Sequence, residues 1–192
     1  MAPSRPFLDL TLAEWLDELA SARAAPGGGS ALAVALANAA AVLAMAARVS
    51  DAGGLVAQAE ALRARTAPLA QVDADTYAEA LAVRDAAGEL ELRQEQRDWE
   101  IGKAFARAAE PPLEIARAAA DVAELAAELA RNGAPEIRAD AVAAAALAAG
   151  VARGCVTMVE VNLTAVEGDP RVAEAARLAD SAAAAAARAA AG

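Results

Sequence analysis

Several groups of residues in this chain have the types and spacing to do chemistry. The run Pro26-Gly27-Gly28-Gly29-Ser30 precedes a long segment almost free of charge. Consecutive glycines lose the most backbone entropy on folding, so they are tolerated where positive φ angles or close backbone approach are needed. Set just before a helix N-terminus, Gly27, Gly28, Gly29 and Ser30 can present unpaired amide hydrogens and the positive end of the helix dipole to an anion or a developing negative charge. A tight turn between packed helices accounts for the run equally well. It matches neither the dinucleotide fingerprint nor the phosphate-binding P-loop.

Asp73 and Asp75 fall within a helical stretch, a poor place for aspartate by propensity. Two positions apart on a helix they point roughly 200° apart, so they cannot form a paired dyad on one face. Either both face solvent or one faces inward. Asp140, just before Ala141 to Ala149, reads as a helix N-cap. Asn162, and with it Glu160, lies in the apolar stretch Val156 to Leu163 and needs a partner there.

Helices must position these groups. Thr11 and Glu14 form a capping box, and Leu12, Trp15, Leu16 and Leu19 share one face, predicting an amphipathic helix to about Ala22. Ser30 starts a helix reaching about Ser50, apolar on all sides and therefore central. Beyond the punctuation Asp51-Ala52-Gly53-Gly54, a helix is predicted from Leu55 to Arg84, bent near Pro68, whose missing amide hydrogen interrupts the ladder. Asp85 to Gly88 reads as a short connection, and the charged run Glu89 to Glu100 begins a helix to about Ala109. Pro111-Pro112 suits the first turn of the next, which closes at Asn132-Gly133. Two more helices run from Ile137 or Asp140 to Ala165, and from Asp169-Pro170 into the alanine tract Ala182 to Ala191, a low-complexity tail that packs or frays.

Composition supports an all-α chain. The hydrophobic fraction is 58% but the aromatic fraction is 3%, and alanine supplies much of the difference. Alanine is the best helix former, and strand-favouring residues are scarce. At 192 residues one domain is expected, spanning residues 1–192 with residues 182–192 as its alanine-rich tail. The net charge of −10 argues against nucleic acid and anionic membranes as partners. A single cysteine and no histidine leave no disulfide framework and no usual zinc pattern, which fits a cytoplasmic setting. Ala31 to Ala47 falls just short of the roughly 18 apolar residues of a spanning helix, and a buried bundle helix is the expectation.

The glycine run with the alanine-rich helix after it, Val72-Asp73-Ala74-Asp75, Arg97 ahead of Pro112-Leu113, Asp140, and Val159 to Leu163 occur in that order. With this order, over about residues 8 to 168, the chain resembles the cyclodeaminase/cyclohydrolase family. That family includes the C-terminal domain of formiminotransferase-cyclodeaminase and stand-alone methenyltetrahydrofolate cyclohydrolases. The resemblance implies an all-α orthogonal bundle of about six helices, homodimeric, acting without metal or further cofactor on a one-carbon unit carried by tetrahydrofolate. One family reaction closes 5-formiminotetrahydrofolate and releases ammonia; the other adds water to 5,10-methenyltetrahydrofolate. On this resemblance Asp73, Asp75 and Asp140 are the acid/base candidates, Gly27 to Ser30 hold ligand by backbone amides, Arg97 pairs an anionic folate tail, and Asn162 orients ligand or a carboxylate.

The chain departs from the family pattern in places. Arg84 to Gly88 has no Pro-Lys pair, Gly133-Ala134 and Ala139-Asp140 stand where a Gly-Asn pair and a serine are frequent, and Met158 replaces a common asparagine. The leading expectation is a folate one-carbon enzyme, a cyclohydrolase ahead of a cyclodeaminase because no formiminotransferase domain accompanies the bundle. The alternative is a diverged, non-catalytic module that binds a folate-like ligand or another helical surface.

Overall fold

The computed structural model describes residues 5–89, 93–164 and 168–191, and among them every regular element is helical. A 3₁₀ turn at Phe7–Asp9 leads into α1 (Leu12–Leu19), followed by α2 (Gly28–Val49), α3 (Gly53–Thr66), α4 (Leu69–Glu89), α5 (Gln94–Ala108), α6 (Glu110–Asn132), a 3₁₀ turn at Pro135–Ile137, α7 (Arg138–Asn162) and α8 (Pro170–Ala191). The all-α expectation holds. The predicted helix Leu55–Arg84 is two helices, because Pro68 has no amide hydrogen and its ring crowds the preceding turn, so α3 stops at Thr66 and α4 starts afresh. The expected connection at Asp85 to Gly88 is instead the last turn of α4, with Ala87 buried. Of the charged run predicted to open the next helix, residues 90–92 lie outside the described residues, and α5 begins at Gln94.

The core is built from small side chains at close quarters. α6 packs along both α7 and α8, and α2 packs against α7, α6 and α3. Leu36 and Leu43 of α2, with Leu113, Ile115, Val122 and Leu129 of α6, are fully buried, and alanines fill most of the remaining contacts. The two most apolar helices, α2 and α7, are long enough to cross a membrane, yet about half of each apolar window is buried inside the bundle. The alanine tail packs rather than frays. Ala175, Ala179, Ala182, Ala185 and Ala189 repeat at helical spacing and are buried, while Arg138 Nη2 donates to the carbonyls of Ala189 and Ala190 at 3.2 and 3.3 Å. Those carbonyls lack intrahelical partners, so the guanidinium caps α8 from the side.

The N-terminal helix uses only part of its apolar face. The capping box forms as expected, Thr11 Oγ1 accepting from the Glu14 backbone and Glu14 Oε2 accepting from the Thr11 backbone. Trp15 is 6% exposed and packs its ring 5.2 Å from Phe7. Leu12 and Leu16, which share Trp15's face by helical spacing, are 71% and 53% exposed. The helix ends at Leu19, short of the expected Ala22.

Candidate functional site

The glycine run does not form the turn expected of it. Gly27 is the N-cap of α2 in extended conformation, and Gly28 and Gly29 already belong to the first helical turn. What requires glycine here is close approach. A Cβ at Gly29 would stand 2.2 Å from Asp73 Oδ1 and 2.6 Å from its Cγ, and a Cβ at Gly28 would stand 3.0 Å from the Met158 methyl. α4 thereby brings the Asp73 carboxylate directly onto the N-terminal turn of α2. The carboxylate is the protein's own anion at a helix start, where unpaired amides and the helix dipole favour it.

Ser30 completes the contact. It is fully buried, and its Oγ donates to Asp73 Oδ2 at 3.1 Å. Burial pushes the Asp73 carboxyl above its ordinary range, and hydrogen bonds from the Ser30 side chain and backbone partly offset that rise. Cys155 lies close behind on α7. Its thiol is pushed up to about 12, by burial first and then by the Asp73 charge, so it stays protonated and unreactive.

Asp73 opens into a cavity of about 240 Å³, lined also by Gly27, Gly28, Gly29, Tyr77, Met158 and Asn162. Most of its wall is apolar, through Ala24, Ala25, Ala74, Met158 and Val161. Asn162, the interior polar residue at the end of α7, donates from Nδ2 to the Ala108 carbonyl at 2.9 Å and so satisfies the last turn of α5. The Tyr77 ring stands nearly perpendicular to Phe105, centroids 6.2 Å apart at 80°. Among the described residues no cluster of three or more His, Cys, Asp or Glu could hold a metal ion.

The profile of the formiminotransferase-cyclodeaminase family matches residues 11–181. The chain belongs to that family. Among curated proteins none matches significantly. The solved structure of formiminotetrahydrofolate cyclodeaminase from Thermotoga maritima has the same fold, with a TM-score of 0.83 over 95% of this chain and 94% of that one at 21% identity.

The family's order of motifs is not gathered into one place within a single chain. Gly27, Gly28, Gly29, Asp73 and Asn162 line the cavity and Ser30 holds Asp73. Asp75 points away, as its helical offset requires, and its exposed carboxylate accepts from Gln71 Nε2 at 2.9 Å. Gln71 Oε1 in turn accepts from the Phe7 amide, so Asp75 braces the N-terminal segment. Asp140 is in the first turn of α7 and not its N-cap, which is Ile137. It lies about 27 Å of helix rise from Met158, at the far end of the bundle. Arg97 is half-buried on α5, on the side it shares with Ile101 and Phe105, about 12 Å along the helix from Phe105. Tyr77, Met158 and Val161 carried no functional signal in the sequence beyond the substitution at Met158, because an apolar wall has no motif. The helical offset of Tyr77 from Asp73 was the available cue.

Proposed function

We propose that the protein opens or closes the C–N bond of a one-carbon adduct of tetrahydrofolate, and that its reaction is the opening of 5,10-methenyltetrahydrofolate to 10-formyltetrahydrofolate. Family membership supplies the substrate class. The observation that carries the reading is the buried Asp73 carboxyl seated on Gly29 and Ser30 and facing a mostly apolar cavity.

The methenyl carbon lies between two nitrogens and carries a delocalised positive charge. An ionised Asp73 beside it attracts that cation and accepts a proton from water as the new C–O bond forms, while the C=N π pair moves onto nitrogen. The resulting carbon is tetrahedral. Asp73 then returns that proton to N5 as the C–N5 bond breaks, and the carbinol hydroxyl releases its own proton to solvent as C=O forms, leaving the formyl group on N10. A carboxyl whose proton affinity is raised by burial suits both halves of this transfer. The cyclodeaminase reaction uses the same groups: N10 attacks the formimino carbon while its proton passes to the imino nitrogen, and the Asp73 carboxyl then supplies a second proton as the C–N bond breaks and ammonia departs.

The cavity admits a ring system but not a whole folate, so the p-aminobenzoylglutamate tail must leave through its mouth. Arg97, on the face of α5 that carries Phe105, is the cation we assign to that tail, and Gly27 and Gly28 the backbone amides for the head. Asp140 enters the scheme only through a second copy of the chain in a homodimer, since its own chain holds it too far away. Two of the departures from the family pattern, Ala134 and Ala139, flank Asp140's end of α7, and Met158 alone lies in the cavity wall.

The decisive assay incubates the purified protein with 5,10-methenyltetrahydrofolate and follows loss of its near-ultraviolet absorbance. Acceleration that disappears in Asp73→Asn supports the reading. Acceleration that survives in Asp73→Asn removes Asp73 from the mechanism, and binding without acceleration selects the non-catalytic alternative that Met158 favours.

A further inference from the structure

We propose that Tyr77 positions the substrate, its phenol hydroxyl donating a hydrogen bond to a ring acceptor of the folate head while Asp73 works at the one-carbon unit. This rests on the folate reading above. Tyr77 follows Asp73 by one helical turn on α4, which sets the two Cβ atoms roughly 5–6 Å apart on the same face. Both side chains line the cavity. The perpendicular packing against Phe105 fixes the plane of the Tyr77 ring.

The phenol hydroxyl is free for such a role. In this stretch of α4 the side-chain hydrogen bonds run from Gln71 to Asp75, from Thr76 to the Val72 and Asp73 carbonyls, from Ser30 to Asp73 and from the Phe7 amide to Gln71. Among the described residues the Tyr77 hydroxyl enters none of them, although a half-buried phenol ordinarily finds a partner. Asn162, the other neutral polar side chain in the wall, spends one amide hydrogen on the Ala108 carbonyl. Tyr77 thus puts a neutral donor beside the acceptor Asp73, on a wall to which Ala74, Met158 and Val161 give apolar surface. An acceptor and a donor one turn apart on an apolar wall fit a planar heterocycle that carries a cationic site and a ring oxygen or nitrogen on one edge.

Tyr77→Phe removes the hydroxyl and keeps the ring on Phe105, and Tyr77→Leu removes both. Each purified variant is compared with wild type in steady-state opening of 5,10-methenyltetrahydrofolate and in thermal melts with and without that ligand. Tyr77→Phe is expected to melt with wild type, raise KM about tenfold and leave kcat within about twofold, the pattern of a lost binding interaction. Tyr77→Leu is expected to raise KM at least as far and to melt earlier. A wild-type KM in Tyr77→Phe overturns the assignment while leaving the folate reading in place. A wild-type protein that neither opens methenyltetrahydrofolate nor melts later in its presence overturns the folate reading, and this role with it.

Discussion

Gly29 and Asp73 interlock: the space a side chain would occupy at Gly29 is taken by the Asp73 carboxylate, whose Oδ1 lies 2.2 Å from where a Cβ would stand. The glycine's role is therefore to yield room to a group from another helix. Gly29→Ala should displace Asp73, break its hydrogen bond to Ser30, and lower kcat/KM by at least ~100-fold, with a stability loss of about 1–3 kcal/mol. Gly28→Ala meets only the flexible end of Met158 at 3.0 Å and should cost well under half as much. Turnover and chemical denaturation of the two variants check the contrast, and equal losses would remove Asp73 as the reason for the glycine.

Gly150 supplies the opposite case. It sits in the interior of α7, exposed, with nothing within 4 Å of its would-be Cβ. Here the glycine only lowers helix propensity, so Gly150→Ala should stabilise the protein by ~0.5–1 kcal/mol and leave turnover unchanged. Denaturant midpoints at constant m-value measure it.

Ser30 tunes the carboxyl. Its side-chain hydrogen bond lowers the proton affinity of Asp73 against the rise that burial imposes. Ser30→Ala keeps the burial and removes this offset, so the folded pKa of Asp73 moves further up. If ionised Asp73 is the base, the acidic limb of the kcat/KM profile shifts to higher pH in Ser30→Ala. An unshifted limb would assign it to another group.

Helix identity was legible in the residues because alanine content, capping and 3.6-residue spacing all agree, as at Thr11 with Glu14 and at Asn132 with Gly133. The break at Pro68 was visible as a bend, but propensity alone does not say whether a proline kinks a helix or ends it. The choice between Asp73 and Asp75 was equally hidden. Helix geometry shows that they diverge, but only the packing of α4 on α2 decides which turns inward. Sequence order also brought Asp140 into the site on paper, whereas the rise of α7 carries it to the opposite end.

The docked tail yields a stability prediction. Ala182, Ala185 and Ala189 are fully buried, and Arg138 caps the carbonyls of Ala189 and Ala190. Ending the chain after Ser181 removes these contacts and should destabilise the bundle by ~2–3 kcal/mol, at about 0.8 kcal/mol for each buried methyl group. Arg138→Ala should give a smaller loss and faster amide exchange confined to the last turns of α8. Exchange that rises evenly through α6 and α7 instead would show the tail to be part of the cooperative core and not a separately docked segment.

Asp73 also links stability to pH, with a sign opposite to that of a salt-bridged carboxylate. Its folded pKa lies above the ordinary aspartate range, because burial disfavours the charged form. The folded state then holds its proton more tightly than the unfolded chain, so this contribution is fully present below the unfolded pKa and is lost as pH rises through the folded pKa. Asparagine is neutral throughout and keeps an oxygen to accept from Ser30. The melting temperature of Asp73→Asn relative to wild type should therefore climb as pH rises through the range in which wild-type Asp73 ionises. Turnover should fall at least ~100-fold in the same variant. Melts of both proteins across that pH range decide the matter: a constant difference would mean that Asp73 titrates alike in the folded and unfolded chains, and a gain in stability paired with a loss of activity marks a charge buried for chemistry at the expense of the fold.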